Sequence, residues 1–192
     1  KHFGASIPYA FERARQLKVE SDHDFIVSDI RHLLAESREG LERVQKIVQD
    51  LKDSSRVGGA GWLRVSLHQG LESTLNIVWN EIKYKAEVDR EYGDLPEIYC
   101  NPSQINQVFM NLLTNAAQSI EGHGHIVLRS GREGDVVWVE VQDDGAGIAP
   151  EDLERIFEPF YTTKPVGKGT GLGLSLSWGI VQRHHGKIEV HS

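Results

Sequence analysis

An acid followed by two glycines is the first feature of this sequence that could bind a ligand. Asp143-Asp144-Gly145-Ala146-Gly147-Ile148 comes directly after a run of alternating valines that predicts a strand. A carboxylate fixed at a strand end can accept a hydrogen bond from an exocyclic amine such as that of adenine. Glycine at 145 and 147 allows a sharp turn and a close approach to a flat ligand. An ordinary turn after a strand would show the same pattern, so this segment alone leaves both interpretations open.

Two asparagines stand four residues apart in a segment with helical periodicity. Asn111 and Asn115 would therefore project from one helix face. Asparagine is mildly unfavourable inside a helix, which suggests a special role. An amide oxygen suits Mg²⁺ that is held mainly by phosphates and water. The alternative is a pair of solvated amides.

A second glycine cluster, residues 167–174, leads directly into a predicted helix at 171–184. Backbone amides at a helix start attract anions, and glycines let a phosphate approach them. The cluster is not a P-loop, because no Gly-Lys-Ser/Thr closes it. Lys164 precedes it and could contact a terminal phosphate or be a solvated loop lysine. Phe157 and Phe160 are expected to anchor a mobile loop.

Apolar periodicity predicts the elements that position these residues. Residues 62–67 alternate as a strand, and Leu67, Leu71, Leu75, Val78 and Ile82 recur at helical spacing. Further strands are predicted around residues 86–88, at Ile98 and at 187–190, with a hairpin from 126–128 and 136–141. A helix is predicted to open at Asn101-Pro102, which suit its cap and first turn. Its apolar stripe is Ile105, Val108, Leu112, Ala116 and Ile120.

The segment from residue 24 to residue 54 carries a heptad seam. Its positions step by three and four: Ile30, Leu34, Ser37, Leu41, Val44, Val48 and Leu51. This spacing predicts a long helix of a bundle or coiled coil, although packing on its own globular domain would also be compatible. The glycine-rich residues 54–61 read as a linker, so we expect a helical region over 1–57 and a second domain over 58–192.

Composition narrows the class of protein. The chain has 192 residues, 39% of them hydrophobic, and a formal net charge of -7, which argues against binding nucleic acid through bulk charge. A single cysteine, Cys100, excludes an internal disulfide and fits a reducing compartment. No apolar run approaches the roughly 20 residues that span a bilayer. We expect no membrane segment in this fragment and a cytoplasmic location, while an anchor elsewhere in the whole protein stays open.

Four segments in a fixed order resemble a known family. Asn-Leu-Leu-Thr-Asn-Ala (111–116) is followed by Asp-Asp-Gly-Ala-Gly (143–147), Ile-Phe-Glu-Pro-Phe-Tyr-Thr-Thr-Lys (156–164) and Gly-Thr-Gly-Leu-Gly-Leu (169–174). This order resembles the catalytic ATP-binding domain of two-component sensor histidine kinases, in the superfamily that includes gyrase, heat-shock chaperone and mismatch-repair ATPases. The resemblance runs from about residue 65 to residue 192. The heptad helix, especially residues 41–51, is similar to the second helix of the family's dimerisation and histidine-phosphotransfer domain.

The resemblance implies a fold and a set of roles. The fold would be α+β, a two-layer sandwich of the Bergerat type with helices on one face of a mixed sheet, preceded by the long bundle helix. Asp143 would bind the adenine amine, with Gly145 and Gly147 shaping that wall. Asn115 would ligate Mg²⁺, supported by Asn111. The remaining nucleotide contacts would come from Lys164, Gly169, Thr170, Gly171, Leu172, Gly173 and Leu174, largely through backbone amides on phosphate.

The implied activity is that of an ATP-dependent protein-histidine kinase. The terminal phosphoryl group would pass to a histidine on the helical domain and then to a response-regulator receiver domain. A second copy would pair through the heptad helix. The alternatives are an ATPase that drives conformational change and a non-catalytic nucleotide-binding dimer. Hydrolytic relatives carry a glutamate base where this sequence has Asn111, which favours phosphotransfer.

Two departures from the family pattern are visible. The phosphoacceptor histidine is normally followed by an acid and, five residues on, by a proline. His2 fits poorly, because Phe3 replaces the acid and Pro8 lies six residues away. We expect the acceptor helix upstream of this fragment, which alone should bind ATP but barely turn over. The chain stops at His191-Ser192, where the family usually continues into a last strand.

Overall fold

The computed structural model describes residues 11–13, 15–16, 23–55, 61–165 and 169–192. His2, most of the expected linker and Gly167-Lys168 lie outside these ranges. The chain divides into two compact units, residues 1–48 and residues 49–192. In the described ranges, no helix is both long and apolar enough to cross a membrane.

The heptad segment forms one helix, α1 (His23–Ser55). Its 33 residues extend over about 50 Å at 1.5 Å per residue. Four of its seam residues are exposed by 49% to 75%: Ile30, Leu34, Leu41 and Val44. An apolar stripe of this kind is the surface that a partner helix covers.

Within residues 61–165 and 169–192, the structure describes two sheets and four helices. In chain order they are β1 (Leu63–Val65), α2 (Leu67–Ile82), β2 (Ala86–Tyr92), β3 (Ile98–Cys100), α3 (Pro102–Ser119), β4 (Gly124–Glu133), β5 (Val136–Asp143), α4 (Pro150–Leu153) and α5 (Gly173–Arg183). One sheet has the order β2-β4-β5, with β2 parallel and β5 antiparallel to β4. β1 and β3 form a separate antiparallel pair. The predicted mixed sheet is confirmed.

The core lies between this three-stranded sheet and helices α2 and α3. Alternate residues of β4 face inward, so Ile126 and Leu128 are fully buried. Leu71 and Leu113 meet them from the helices in the same apolar cluster. On the opposite face Arg129 pairs with Glu91 and Glu140 across the strands. The two-layer α+β class is therefore confirmed.

The start of α3 is as predicted, but its buried face is wider than predicted. Asn101 caps the helix through a bond from Gln104 N to its Oδ1 (3.3 Å), and Pro102 is the first residue. Leu113 is fully buried, whereas Leu112 is only half-buried. The reason is that α3 packs against α2, α5 and the sheet together. A single stripe suffices only for a helix that is covered from one side.

The strand predicted at residues 187–190 is wrong. The backbone of this segment forms no strand, and β5 pairs with β4 alone in the described part of the chain. Ile188 and Val190 alternate with more exposed neighbours as a strand would. An alternating pattern of side chains is not enough for a β-strand, because the backbone also needs a neighbouring strand with which to form hydrogen bonds.

Candidate functional site

Helix α3 presents three polar side chains on one face, each bonded to a different segment of the chain. They are Asn111, Asn115 and Ser119, spaced by four residues, so they cover about 12 Å of the helix. Their partners lie on α5, on the loop before it and at the end of β5. This face therefore gathers all four segments singled out in the sequence.

Asn111 joins α3 to the first turn of α5. Its Nδ2 donates to the carbonyl oxygen of Gly173 (2.9 Å) and to Ser177 Oγ (3.0 Å). Ser177 is fully buried and donates in turn to the same carbonyl (2.9 Å). The amide nitrogen of Asn111 is thus fully engaged as a donor.

Asn115 faces a lysine from the following loop. Lys164 Nζ donates to Asn115 Oδ1 (3.1 Å) and to Gln118 Oε1 (2.6 Å). An ammonium can only donate, so both amides must present oxygen to it. The structure therefore shows this corner of α3 offering oxygen atoms to a cation.

Ser119 fixes the end of β5. Its Oγ donates to Asp143 Oδ1 (2.7 Å), which also accepts from Gly145 N (3.0 Å). Ala146 N donates to the carbonyl oxygen of Ser119 (3.1 Å). A Cβ on Gly145 would lie 2.6 Å from Ser119 Cβ, so only glycine fits here. Both of these bonds of Asp143 use Oδ1.

The neighbouring acid has a structural role. Asp144 Oδ1 accepts from His125 N (2.7 Å), and Asp144 N donates to the carbonyl oxygen of His125 (3.2 Å). These bonds hold the end of β5 to β4. Of the two adjacent acids, Asp143 alone reaches α3.

The loop between α4 and α5 is held by its backbone. Phe160 N donates to the carbonyl oxygen of Gly171 (2.9 Å), and both residues have positive φ, +68° and +66°. A Cβ on Gly171 would lie 2.7 Å from Phe160 Cα, which requires glycine. The ring of Phe160 is 61% exposed, so the predicted aromatic anchoring is wrong for this residue. Tyr161 anchors the loop instead, because its hydroxyl donates to Asp152. The same bond raises the pKa of the Tyr161 phenol.

The first turn of α5 keeps its backbone amides available. Its cap residue, Leu172, makes no side-chain capping bond, and the turn contains no acid. Leu172 N lies 3.4 Å from Thr170 Oγ1, a long contact. The side chain of Leu172 is buried, which fixes the backbone of this turn. Uncapped amides of a rigid helix start can bind an anion.

The sequence and the fold of this chain are similar to those of known proteins. Residues 100–192 match the model described as histidine kinase-, DNA gyrase B-, and HSP90-like ATPase. Sporulation kinase E of Bacillus subtilis (strain 168) is 44% identical over 100 residues, 52% of this chain and 13% of that protein. Sensory histidine kinase/phosphatase NtrB of Vibrio alginolyticus is 32% identical over 192 residues, 93% of this chain and 53% of that protein.

The solved structure of histidine kinase ThkA in complex with response regulator protein TrrA is also similar. Its TM-score is 0.63 at 26% identity, over 77% of this chain and 42% of that one. Over residues 100–192 the chain carries the ATPase domain of the sensor histidine kinases. The chain spans about half or less of the two curated relatives.

The donors of this histidine kinase domain fit a nucleotide with its metal. No cluster of three or more His, Cys, Asp or Glu side chains suited to a metal occurs within the described residues. The available oxygens are neutral amides, and Lys164 already stands there as a cation. Neutral oxygens suit Mg²⁺ whose charge is balanced mainly by phosphates.

Several residues of this candidate site were not found by sequence reasoning. Ser119 lies four residues after Asn115, and that spacing could have revealed it. Gln118 and Ser177 gave no signal, because their partners are 46 and 66 residues away.

His184 is engaged through both nitrogens: Nδ1 donates to the carbonyl oxygen of Ile180 (2.8 Å) and Nε2 accepts from Asn101 N (3.1 Å).

A cavity elsewhere in the kinase domain is separate from this site. It has a volume of about 200 Å³ and lies between the starts of α2 and α3, lined by Val65, Gly70, Ile105 and Phe109 among others. Its lining includes none of the residues predicted to bind nucleotide. The candidate site is therefore described by its polar contacts, and this cavity is not part of it.

Proposed function

We propose that this chain is the nucleotide-binding part of an ATP-dependent protein-histidine kinase that transfers the terminal phosphoryl group to a histidine on its helical domain. One observation carries the proposal: the face of α3 that bears Asn111, Asn115 and Ser119 contacts every other segment of the family pattern. These contacts bring an acceptor for adenine, an oxygen for a metal and a phosphate-binding helix start to one side of the domain.

Each group has a distinct task in this proposal. Asp143 accepts from the exocyclic amine of adenine through Oδ2, while Gly145 and Gly147 keep the wall beside it open. The backbone amides from Gly169 to Leu174, which lead into the start of α5, hold the phosphates. Asn115 Oδ1 is the protein ligand for Mg²⁺, which supplies charge neutralisation on the phosphates when bound.

Catalysis by this chain is positioning and charge stabilisation. Asn111 holds the start of α5 at a fixed distance from α3, so the phosphate-binding amides and Asn115 keep their relative places. A nitrogen bonded to Gly173 and Ser177 cannot take a proton from water. This arrangement favours transfer to an imidazole over hydrolysis.

The helical region supplies the partners in this proposal. We assign residues 1–57 to part of the dimerisation and phosphotransfer region, and residues 58–192 to the catalytic domain. The exposed seam of α1 is the surface on which a second copy would pair. A receiver domain would accept the phosphoryl group, as the ThkA–TrrA complex suggests by likeness. The buried, unpaired Cys100 supports a cytoplasmic location.

Phosphate labelling of the whole protein tests the activity. With radiolabelled ATP and Mg²⁺, we expect label on the protein that is lost in acid and kept in base, as a phosphohistidine behaves. Parallel samples treated with acid or with base provide the control. Release of free phosphate without labelled protein would replace the kinase by an ATPase, and neither product would favour a nucleotide-binding module.

A further inference from the structure

The side-chain oxygens of Gln118 and Asn115 bind the ammonium group of Lys164, a contact that the proposed reaction does not require. Lys164 Nζ lies 2.6 Å from Gln118 Oε1 and 3.1 Å from Asn115 Oδ1. The contact joins a loop residue to a helix that ends more than 40 residues earlier in the chain. It brings a positive charge to the same oxygen atom that would ligate Mg²⁺.

The surrounding loop supports this placement of the lysine. Lys164 N donates to Thr162 Oγ1 (3.2 Å), which fixes the backbone just before the side chain. A Cβ on Gly169 would lie 2.7 Å from Thr162 Oγ1 and 3.3 Å from Lys164 Cβ, so glycine lets the returning chain pass. The lysine therefore reaches α3 from a backbone that Thr162 holds.

A metal ion and the ammonium cannot share Asn115 Oδ1. Mg²⁺ binds oxygen at about 2.1 Å and requires nearly ideal octahedral geometry. An ammonium group bonded to the same oxygen would repel the Mg²⁺ ion, because both are positively charged and close together. Binding of the metal at Asn115 must therefore move Lys164 away.

We propose that Lys164 is an internal cation that occupies the metal position of Asn115, is held there by Gln118, and is exchanged for Mg²⁺ when the metal arrives with a nucleotide. The inference rests on the proposed nucleotide site. While Lys164 is in place, it keeps Asn115 Oδ1 turned toward a cation. Gln118 is a positioning residue, because it acts on the metal only through Lys164.

The exchange predicts a specific effect on metal affinity. Gln118→Met removes one acceptor of the ammonium but leaves Lys164 and Asn115 unchanged. Because the competing cation is held less strongly, Mg²⁺ should bind the ADP complex about threefold to tenfold more tightly. Affinity for ADP in the presence of a chelator should stay the same. Isothermal calorimetry of Mg²⁺ into protein saturated with ADP measures the first quantity, and calorimetry of ADP into protein with a chelator measures the second.

Lys85→Met is the matched control. Lys85 Nζ donates to the carbonyl oxygen of Ala117 (3.1 Å), so this variant also removes a lysine contact from α3, but on another backbone group. An unchanged Mg²⁺ affinity in Gln118→Met, or an equal gain in Lys85→Met, would overturn the exchange.

A second measurement tests the contact without nucleotide or metal. Acetic anhydride should acetylate Lys164 faster in Gln118→Met than in the parent protein, as read by mass spectrometry of peptides. Equal rates would reject the role of Gln118. If neither the parent protein nor the variants bind ADP in the presence of a chelator, the proposed nucleotide site is wrong. If ADP binds but the metal effect is missing, only the exchange fails.

Discussion

Asp143 and Asp144 show how neighbouring residues of one type acquire different tasks. Successive side chains at the end of a strand point to opposite sides. Asp143 therefore turns to Ser119 on α3, while Asp144 turns back to the backbone of His125. Asp143 can bind a ligand, whereas Asp144 holds the end of β5 to β4.

The substitution Asp143→Asn tests the assigned role at this scale. An asparagine would keep the size of the side chain but replace an acceptor by an NH₂ group, whether toward adenine or toward Gly145 N. We expect affinity for ADP to fall about tenfold or more, since a hydrogen bond to a charged group contributes roughly 1.5–3 kcal/mol. Titration calorimetry with ADP measures the loss.

Asp144→Asn is the control for this prediction. It removes the same charge one residue away, and its side-chain oxygen can still accept from His125 N. ADP should bind this variant nearly as tightly as the parent. If Asp143→Asn also binds ADP as tightly as the parent, adenine is not recognised at Asp143.

At the scale of elements, α3 and α5 are joined by a polar contact as well as by apolar packing. The Asn111 amide bridges to the first turn of α5 beside the buried Ser177. A side chain that faced these acceptors with another acceptor would add a repulsion to the lost bonds, which costs more than the bonds themselves contribute. The relative position of these helices should therefore depend on this single side chain.

Asn111→Asp tests that dependence. A carboxylate would face the carbonyl oxygen of Gly173, so we expect a loss of about 1–3 kcal/mol in the free energy of unfolding. Urea unfolding at neutral pH measures it. Asn115→Asp is the matched control and should not destabilise, because its carboxylate would face the ammonium of Lys164. Equal losses in the two variants would show that the bridge to α5 is unimportant.

At the scale of the whole domain, a polar cluster joins the helix layer to the sheet. Glu72 on α2 accepts from Arg90 Nε (2.8 Å) and Tyr92 Oη (2.7 Å) on β2. Burial alone would raise the pKa of Glu72, but these bonds outweigh it and lower the pKa. Burial and the bond to Glu72 raise the pKa of Tyr92.

The lowered pKa makes part of the stability depend on pH. A carboxyl whose pKa is lower in the folded state stabilises fully above its unfolded value of about 4.3, and this contribution disappears as the pH falls through the folded pKa. Glu72→Gln should therefore unfold more easily than the parent at pH 7, by less than about 1 kcal/mol because the pair is partly exposed. The difference should shrink below about pH 4.

Urea unfolding at neutral and acidic pH checks this expectation. Glu81→Gln, on the exposed side of α2, changes the charge by the same amount and serves as the control. A difference for Glu72→Gln that persists unchanged in acid would mean that packing, and not ionisation, explains it.

Most elements of the fold could be predicted because their signals are local. The cap at Asn101, the stripe of α2 and the turn before β5 each depend on residues within one or two turns of chain. The wrong strand at 187–190, the burial of Leu113 and the exposed ring of Phe160 all depend on what packs beside them. A single sequence carries no signal for such neighbours.

The sequence by itself determined most of the elements, their order and the four segments that could hold a nucleotide, since periodicity and turn chemistry act over a few residues. Only the tertiary structure decided that Asn111 meets Gly173, that Lys164 lies on Asn115 and that Ser119 reaches Asp143. The partners in these pairs are 62, 49 and 24 residues apart. A hydrogen bond requires placement within a few tenths of an ångström, and only the packing of α3 against the sheet and α5 sets that distance.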